Sequence, residues 1–288
     1  MTHHEPVIDL HTHSSTSDGT QAPAELVAAA VEAGVDVLAI TDHDTVGGWA
    51  AAERAARERG LVLVKGVEIS CHYKWSSVHL LGYLVDPADA DLAAELHRAR
   101  VSRAQRLELM VERMSADGIP ITYEQVVAQV GPGTTPGRPH IADALIEAGV
   151  IRHRDEAFAD WLSERSPYYV GHYAVDLARA VRLVRAAGGV PVIAHPFTRT
   201  RGAGIPDSFI AQLAAAGLGG LEAYHRDHGP AEVARAERLA AEHGLLLTGS
   251  SDYHGAGKRN RLAENTTRRD VLEAIIAQSS GVTAVVCP

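Results

Sequence analysis

Short apolar, β-branched runs alternate with alanine-rich stretches along most of this chain, and the apolar runs repeatedly end in histidine or a carboxylate. Val7 to Leu10, Val35 to Ile40, Leu61 to Ile69 and Val78 to Val85 read as strands. Pro23 to Ala33 and about Thr45 to Arg59 read as helices stopped by Gly34 and Gly60. The link from Cys71 to Ser77 is too short for a crossover helix, so the third and fourth strands are expected to form an antiparallel hairpin. From about Asp89 to Tyr169 the strand signal vanishes. Helical stretches follow one another there, broken at Gly118 and by the loop from Gly131 to Gly137. Alternation then resumes with a helix near Ala174 to Ala187, a strand Val190 to Ala194 and a helix Ile210 to Ala216. A strand Leu221 to Ala223, a helix Ala231 to His243 and a strand Leu245 to Thr248 come next, then a helix near Arg269 and a closing strand Thr283 to Val286. Repeated units of this kind make a mostly parallel sheet or a barrel, here interrupted by an all-helical insertion.

At 288 residues the chain can bury a large core without disulfides or a structural metal. Its two cysteines, Cys71 and Cys287, form no CxxC pair, which excludes a thiolate zinc knuckle. The opening Thr2-His3-His4-Glu5 lacks a basic and apolar leader, and no stretch approaches the roughly 18 apolar residues of a membrane span. A soluble, cytoplasmic protein is therefore expected. The net charge of −9 argues against DNA and membrane partners, so any phosphorylated molecule it handles must be drawn by a local positive site.

Histidine is over-used, with 16 in the chain, and its placement is informative. The strand ends carry Asp9-Leu10-His11-Thr12-His13, Ser17-Asp18-Gly19, Thr41-Asp42-His43-Asp44, Glu68, His79, Ala194-His195-Pro196, Glu222-Ala223-Tyr224-His225 and Asp252-Tyr253-His254. His11 with His13, and Asp252 with His254, are two apart, so in extended chain both members of each pair face one side. A strand that follows a hairpin starts where its partner finished, which puts His79 on the same rim as the other strand ends, near Glu68. Each element has a plainer reading: an isolated HxH is often surface polarity, Asp18-Gly19 is also a turn, and Asp42 and Asp44 suit a helix cap or a support for His43. Core packing, however, does not require six histidines and three carboxylates at one end of successive strands. Nine nitrogen and oxygen donors without sulfur suit Zn²⁺, Mn²⁺ or Fe²⁺, and are too many for one ion. Three such ions would bring about +6 against −3 from the carboxylates, a local positive centre fitted to a small phosphorylated substrate.

As an ordered set these motifs resemble the PHP (polymerase and histidinol phosphatase) family. The resemblance implies a distorted seven-stranded (β/α) barrel with a trinuclear metal centre at its carboxyl rim. It divides the chain into a barrel of residues 1–98 and 171–288 and a helical insertion of residues 99–170, which would act as a substrate lid. It further implies one ion on His11, His13, Glu68 and Asp252, a second on Glu68, His79 and His195, and a third on Asp18, His43 and His254. Glu68 would bridge the first two. Family members commonly carry histidine where Asp18 stands, so the third ion loses a nitrogen donor here. Two or three divalent ions are expected, with Mn²⁺ favoured over Zn²⁺ and Fe²⁺.

Within the family, the insertion and Gly137-Arg138-Pro139-His140 are similar to the subgroup of 3′,5′-nucleoside bisphosphate phosphatases and 5′–3′ ribonucleases. The expected activity is hydrolysis of nucleotide phosphate monoesters by metal-activated hydroxide, a 3′,5′-bisphosphate above all and short 5′-phosphorylated RNA in addition. Arg138 can grip phosphate bidentately. His140 and Arg199 are further candidate substrate contacts, with Arg201, Lys258 and Arg259 second to them. His225 is a candidate proton donor to the leaving oxygen or a phosphate contact. The alternatives are a histidinol-phosphate or cyclic-phosphate hydrolase on the same centre and, less favoured, a metal-free non-catalytic module. An amidohydrolase would want a bridging lysine, and Lys65 lies inside the third strand, badly placed for that.

Overall fold

The computed structural model describes residues 5–131, 133–198 and 204–288. In chain order its elements are β1 (Ile8–Asp9), α1 (Pro23–Glu32), β2 (Val37–Ile40), α2 (Trp49–Arg59), β3 (Val62–Tyr73) and β4 (Ser76–Tyr83). Four helices follow: α3 (Ala90–Ala116), α4 (Tyr123–Gln129), α5 (Arg138–Glu147) and α6 (Arg154–Asp160). The chain then returns through β5 (Val175–Asp176), α7 (Leu177–Ala186), β6 (Val190–Ala194) and α8 (Asp207–Ala215). It ends with β7 (Gly220–Tyr224), α9 (Pro230–His243), β8 (Leu246–Gly249) and α10 (Arg269–Gln278).

Strands β1, β2 and β3 pair in parallel, as do β6, β7 and β8, while β4 runs antiparallel between β3 and β6. A parallel bridge between Thr12 and Tyr253 draws the first and last strand ends together, so the sheet is a nearly closed seven-stranded barrel. The hairpin is tighter than expected, with Tyr73 opposite Ser76 and only Lys74 and Trp75 between them. Reversal of β4 brings His79 beside Ser70 on one side and Ala194 on the other, at the rim where its parallel neighbours end.

Three expectations need correction. Helix α2 starts at Trp49, not near Thr45, because Gly47 and Gly48 intervene and the Thr45 hydroxyl captures the Gly47 N–H at 3.1 Å, a local turn that competes with helix. The closing strand Thr283 to Val286 reduces to a single antiparallel bridge of Val286 with Leu63. It covers the lower stretch of β3 that the shorter β4 leaves unpaired. The Glu25 side chain caps the Ala22 N–H at the start of α1, left-handed Gly60 ends α2 as expected and left-handed Gly244 ends α9, while the helix expected near Ala174 starts at Leu177, behind the short β5.

One buried cluster contains Val37 and Ala39 of β2, Val64 of β3, Leu81 and Tyr83 of β4, and Val190, Val192 and Ala194 of β6. Leu272 and Ile275 of α10 pack with it. The alternate residues, such as Leu38, Ile40, Leu63 and Ile193, pack outward against α1, α2, α7, α8 and α9. The inward register therefore runs Val64, Gly66, Glu68 along β3, Tyr83, Leu81, His79 along β4, and Val37, Ala39, Thr41, His43 beyond β2. Each strand carries aliphatic or aromatic side chains at the bottom of the barrel and polar ones at the top. Helix α3 spans two environments: Leu92 and Leu96 join the barrel core, whereas Leu107, Met110, Val111 and Met114 build a separate core with α4, α5 and α6.

Candidate metal centre

The nine residues singled out above converge at the barrel rim. His11, His13, Glu68, His195 and His254 are each at most 5% exposed, and Asp18, His43, His79 and Asp252 line the same chamber. Glu68, inward on β3, organises them. Its Oε2 lies 3.2 Å from His11 Nε2, 3.1 Å from His13 Nε2 and 3.1 Å from His43 Nδ1. Its Oε1 faces the other way, 2.6 Å from His79 Nδ1 and 3.2 Å from His195 Nε2. Asp252 Oδ1 sits 3.4 Å from His13 Nε2 and 3.6 Å from His11 Nε2. Asp18 Oδ1 is 3.2 Å from His254 Nε2, and its Oδ2 is 3.8 Å from His43 Nε2. Donors about 2.1 Å from a shared ion stand roughly 3–3.5 Å apart, the range most of these pairs occupy; Glu68–His79 is closer, and Asp252–His11 and Asp18–His43 are somewhat wider.

The chemistry of the cluster fits divalent cations. Asp18 Oδ1, His43 Nδ1 and His254 Nε2 are buried yet make no hydrogen bond, so their proximity is convergence on common points rather than pairing. Burial pulls the His254 imidazole down to about 4, with Lys258 adding to it, and burial holds His43 well below its ordinary value, leaving both rings neutral with free lone pairs. Burial opposes charge on His11 and His13 as well, but there the carboxylates win. Glu222, Glu68 and Asp252 hold His11 well above its ordinary value, and hydrogen bonds to Asp252 and Glu68 push His13 up to about 9. The chamber thus draws protons where no stronger cation competes.

Hydrogen bonds outside the chamber orient several of these rings. His254 Nδ1 donates to the Asp252 carbonyl at 2.8 Å, which leaves Nε2 bare. His13 Nδ1 lies 3.4 Å from Ser17 Oγ, and that hydroxyl donates to Asp42 at 2.7 Å. Asp42 thus supports His13 through Ser17 and does not cap a helix. Asp44 does not cap one either: its carboxylate accepts from Ser70 N at 2.7 Å and from Arg103 Nε at 2.8 Å, tying α3 to the rim. Asp44, His195 and Asp252 all have positive φ, at 53°, 31° and 53°, a left-handed conformation that costs non-glycine residues about 1–3 kcal/mol. Such strain concentrates at constructed sites.

The candidate substrate residues fare differently. His225 is 3% exposed, its Nε2 has no hydrogen-bond partner and lies 3.5 Å from Asp252 Oδ2, and its Nδ1 accepts from Asp227 N at 3.2 Å. A neutral His225 therefore carries its proton on the nitrogen facing the centre. Lys258 Nζ lies 2.8 Å from Asp252 Oδ2. His140 is buried, accepts from Gly137 N at 3.0 Å and lies within electrostatic reach of Asp18. Arg138 packs its guanidinium against Phe158 and Tyr169, 5.5 and 5.4 Å from their ring centres, and donates to the Leu162 carbonyl at 2.7 Å. Arg259 is exposed and paired with Asp155. Arg199 and Arg201 lie outside the described residues.

Sequence reasoning passed over the group that stands out here. Arg106 of α3 is 4% exposed, and its Nη1 donates to His172 Nδ1 at 3.0 Å. Its Nε and the His172 Nε2 have no hydrogen-bond partner, and among the described residues no carboxylate pairs with it. Burial, with Arg103 and Arg138 nearby, lowers Arg106 to about 9, so it stays charged at neutral pH. Burial and the Arg103 and Arg106 guanidiniums keep His172 neutral, and the His79 ring is close enough to contribute. Arg106 is thus a buried positive charge with no carboxylate partner among the described residues, and its His172 neighbour lies within electrostatic reach of His79.

Comparison with known proteins agrees with this geometry. The PHP domain signature matches residues 9–122. The chain is 34% identical to the 3′,5′-nucleoside bisphosphate phosphatase of Chromobacterium violaceum over 254 residues, 88% of this chain and 89% of the relative. It is 32% identical to the 5′-3′ exoribonuclease of Haemophilus influenzae over 85% of this chain and 89% of that one. A solved Bifidobacterium adolescentis structure, assigned as a metal-dependent phosphoesterase, superposes with a TM-score of 0.92 at 41% identity, covering 96% of this chain and 98% of the other.

Proposed function

The chain belongs to the PHP family of metal-dependent phosphoesterases, and from that premise we propose that it removes the 3′-phosphate from nucleoside 3′,5′-bisphosphates, leaving the nucleoside 5′-monophosphate. Short 5′-phosphorylated RNA is the second substrate we assign, since the exoribonuclease relative is similar over most of its length. One observation carries the choice: a chamber of cation donors adjoins the buried, uncompensated Arg106–His172 pair, so the site offers separate places for two phosphates. The helical insertion, residues 99–170, is on this reading a lid that carries Arg106 and Arg138 over the rim.

We assign the ions to His11, His13, Glu68 and Asp252, to Glu68, His79 and His195, and to Asp18, His43 and His254. Glu68 Oε2 toward His11 and His13 and Oε1 toward His79 and His195 support the first two of these groups, while His43 of the third also faces Oε2. Donors of nitrogen and oxygen without sulfur suit two or three ions of Zn²⁺, Mn²⁺ or Fe²⁺, and of these we favour Mn²⁺. When bound, they neutralise phosphoryl oxygens and lower the pKa of an attacking water. The remaining work falls to the chain itself. Glu68 fixes the spacing of the two groups it joins. Arg106 holds the phosphate that is not cleaved. His225, with its proton on Nε2, protonates the leaving 3′-oxygen, and Lys258 draws Asp252 Oδ2 away from it.

A substrate panel tests this reading. Phosphate release with added Mn²⁺ is expected to be fastest, by kcat/KM, from adenosine 3′,5′-bisphosphate. AMP, histidinol phosphate, a cyclic phosphate ester and short 5′-phosphorylated RNA should follow. Turnover of histidinol phosphate alone would overturn the substrate choice and leave the centre standing.

Chelation tests the cations separately. Ligands that bind only the folded state at a thousandfold excess over Kd stabilise by about 4 kcal/mol. At about 2–4 °C per kcal/mol for a chain of this size, stripping the ions should lower Tm by on the order of 10 °C, and Mn²⁺ should restore it. An unchanged Tm after verified metal removal would count against ions held among these buried carboxylates.

A further inference from the structure

One layer below the candidate ligands, inward on β7, lies Glu222, fully buried and offering no ligand to any of the candidate groups. Its Oε1 lies 3.0 Å from His11 Nδ1 and also accepts from Ser250 Oγ. Its Oε2 accepts the backbone N–H of His195 at 2.8 Å. The two histidines that this carboxylate addresses, one by its ring and one by its backbone, come from opposite halves of the chain, yet their rings stack with centroids 5.8 Å apart.

Both bonds act on how a histidine presents itself. An imidazole that donates through Nδ1 keeps its Nε2 lone pair free, and His11 Nε2 is the nitrogen that faces Glu68 and Asp252. His195 is held at a φ of 31°, where few non-glycine residues sit, and its pinned N–H fixes the peptide that aims Nε2 at Glu68 Oε1, 3.2 Å away. Removing the acceptor would release both the tautomer of one ring and the backbone of the other. Asp18, His43 and His254 take no part in these bonds: the Asp252 carbonyl orients His254, Asp18 lies against His254 and His43, and His43 Nδ1 faces Glu68 Oε2 and not Glu222.

We propose that Glu222 is a positioning residue that sets metal occupancy at the groups containing His11 and His195, and not at the group of Asp18, His43 and His254. The inference rests on the reading that these histidines hold ions. It predicts a selective loss, which a general weakening of the barrel would not produce.

The test titrates Mn²⁺ into metal-free wild-type protein, Glu222→Leu and Glu222→Gln, with stoichiometry from elemental analysis and affinities from calorimetry. Far-UV circular dichroism and the Tm of the metal-free forms report the fold. Wild type should bind two or three ions. In Glu222→Leu the affinity at one or two of them should fall by roughly 10- to 100-fold, the range for a lost outer hydrogen bond to a ligating histidine, with the remaining ion unchanged. Glu222→Gln keeps the acceptor shared by His11 and Ser250 but turns an amide donor toward the His195 N–H, so the same ions should weaken by less. If the leucine variant does not fold, the glutamine variant decides alone. Unchanged affinities, or equal weakening at every ion, in a folded variant would overturn the inference and leave the metal reading intact. A wild-type protein that binds no Mn²⁺, Zn²⁺ or Fe²⁺ overturns that reading instead.

Discussion

Replacing Glu68 with alanine is expected to abolish phosphate release, with kcat/KM down by at least on the order of 10³-fold, while the protein stays folded. The magnitude follows from geometry. Loss of a single preorganised electrostatic contact at a reacting centre costs about 10²–10³ in rate. Glu68 contacts five imidazoles through two oxygens, Oε2 toward His11, His13 and His43 and Oε1 toward His79 and His195. Its removal takes away the carboxylate that joins the two sets, although Asp252 stays beside His11 and His13 and Asp18 beside His254 and His43. Folding should survive because the apolar core at the bottom of the barrel does not involve Glu68. Removing one partner of a buried charge cluster leaves His11 and His13 less compensated, so the metal-free Tm of Glu68→Ala should fall below that of metal-free wild type, and added Mn²⁺ should raise it much less than in wild type. Elemental analysis should find fewer ions per chain. Undiminished turnover in this variant would remove the bridge from the mechanism.

Much of this arrangement is legible in the sequence because a barrel imposes order on its strand ends. A period-two register that buries Val64 and Leu81 must present Glu68 and His79 on the same inner face a few residues further along. The hairpin argument supplies the rest: the short link from β3 to β4 forces reversal, and reversal carries an early residue of β4 to the rim. Residues that lie inside this register without reaching the chamber are harder to read. Glu222 occupies an inward position of β7, where a small or aliphatic residue is the ordinary choice, and a buried acid there is itself a signal. Arg106 hides among Arg98, Arg100 and Arg103 on a long charged helix, which suggests a solvated face. The helical spacing from Ala99 through Arg103, Arg106, Leu107 and Met110 nevertheless puts two of these arginines on the buried stripe. Arg138 presents the opposite problem. Its motif suggests a free phosphate grip, but the aromatic side chains of Phe158 and Tyr169, distant from it in sequence, take up its guanidinium. Such partners are set by tertiary packing of the insertion, which no local pattern records.

Replacing Arg106 with leucine should collapse the preference for bisphosphate and, at the same time, stabilise the free protein. These effects have one cause. In the free chain the guanidinium is buried, bonded to His172 and without a carboxylate, so its desolvation is poorly offset. A leucine, though shorter, removes that cost and extends the apolar stripe that continues with Leu107 and Met110. Tm of the metal-loaded variant should rise by a few degrees, at about 2–4 °C per kcal/mol. With substrate bound the balance reverses, because a phosphate supplies the missing charge through hydrogen bonds worth about 1.5–3 kcal/mol each. Loss of one or two such bonds corresponds to roughly 10- to 10⁴-fold in kcat/KM at 1.36 kcal/mol per decade. The ratio of kcat/KM for adenosine 3′,5′-bisphosphate to that for a phosphomonoester with no second phosphate should fall by that factor. Arg106→Lys, which keeps the charge but not the planar fork, should recover only part of it. A leucine variant that melts earlier and keeps its substrate ratio would make Arg106 a structural strut of the insertion, and the second phosphate would then need another partner.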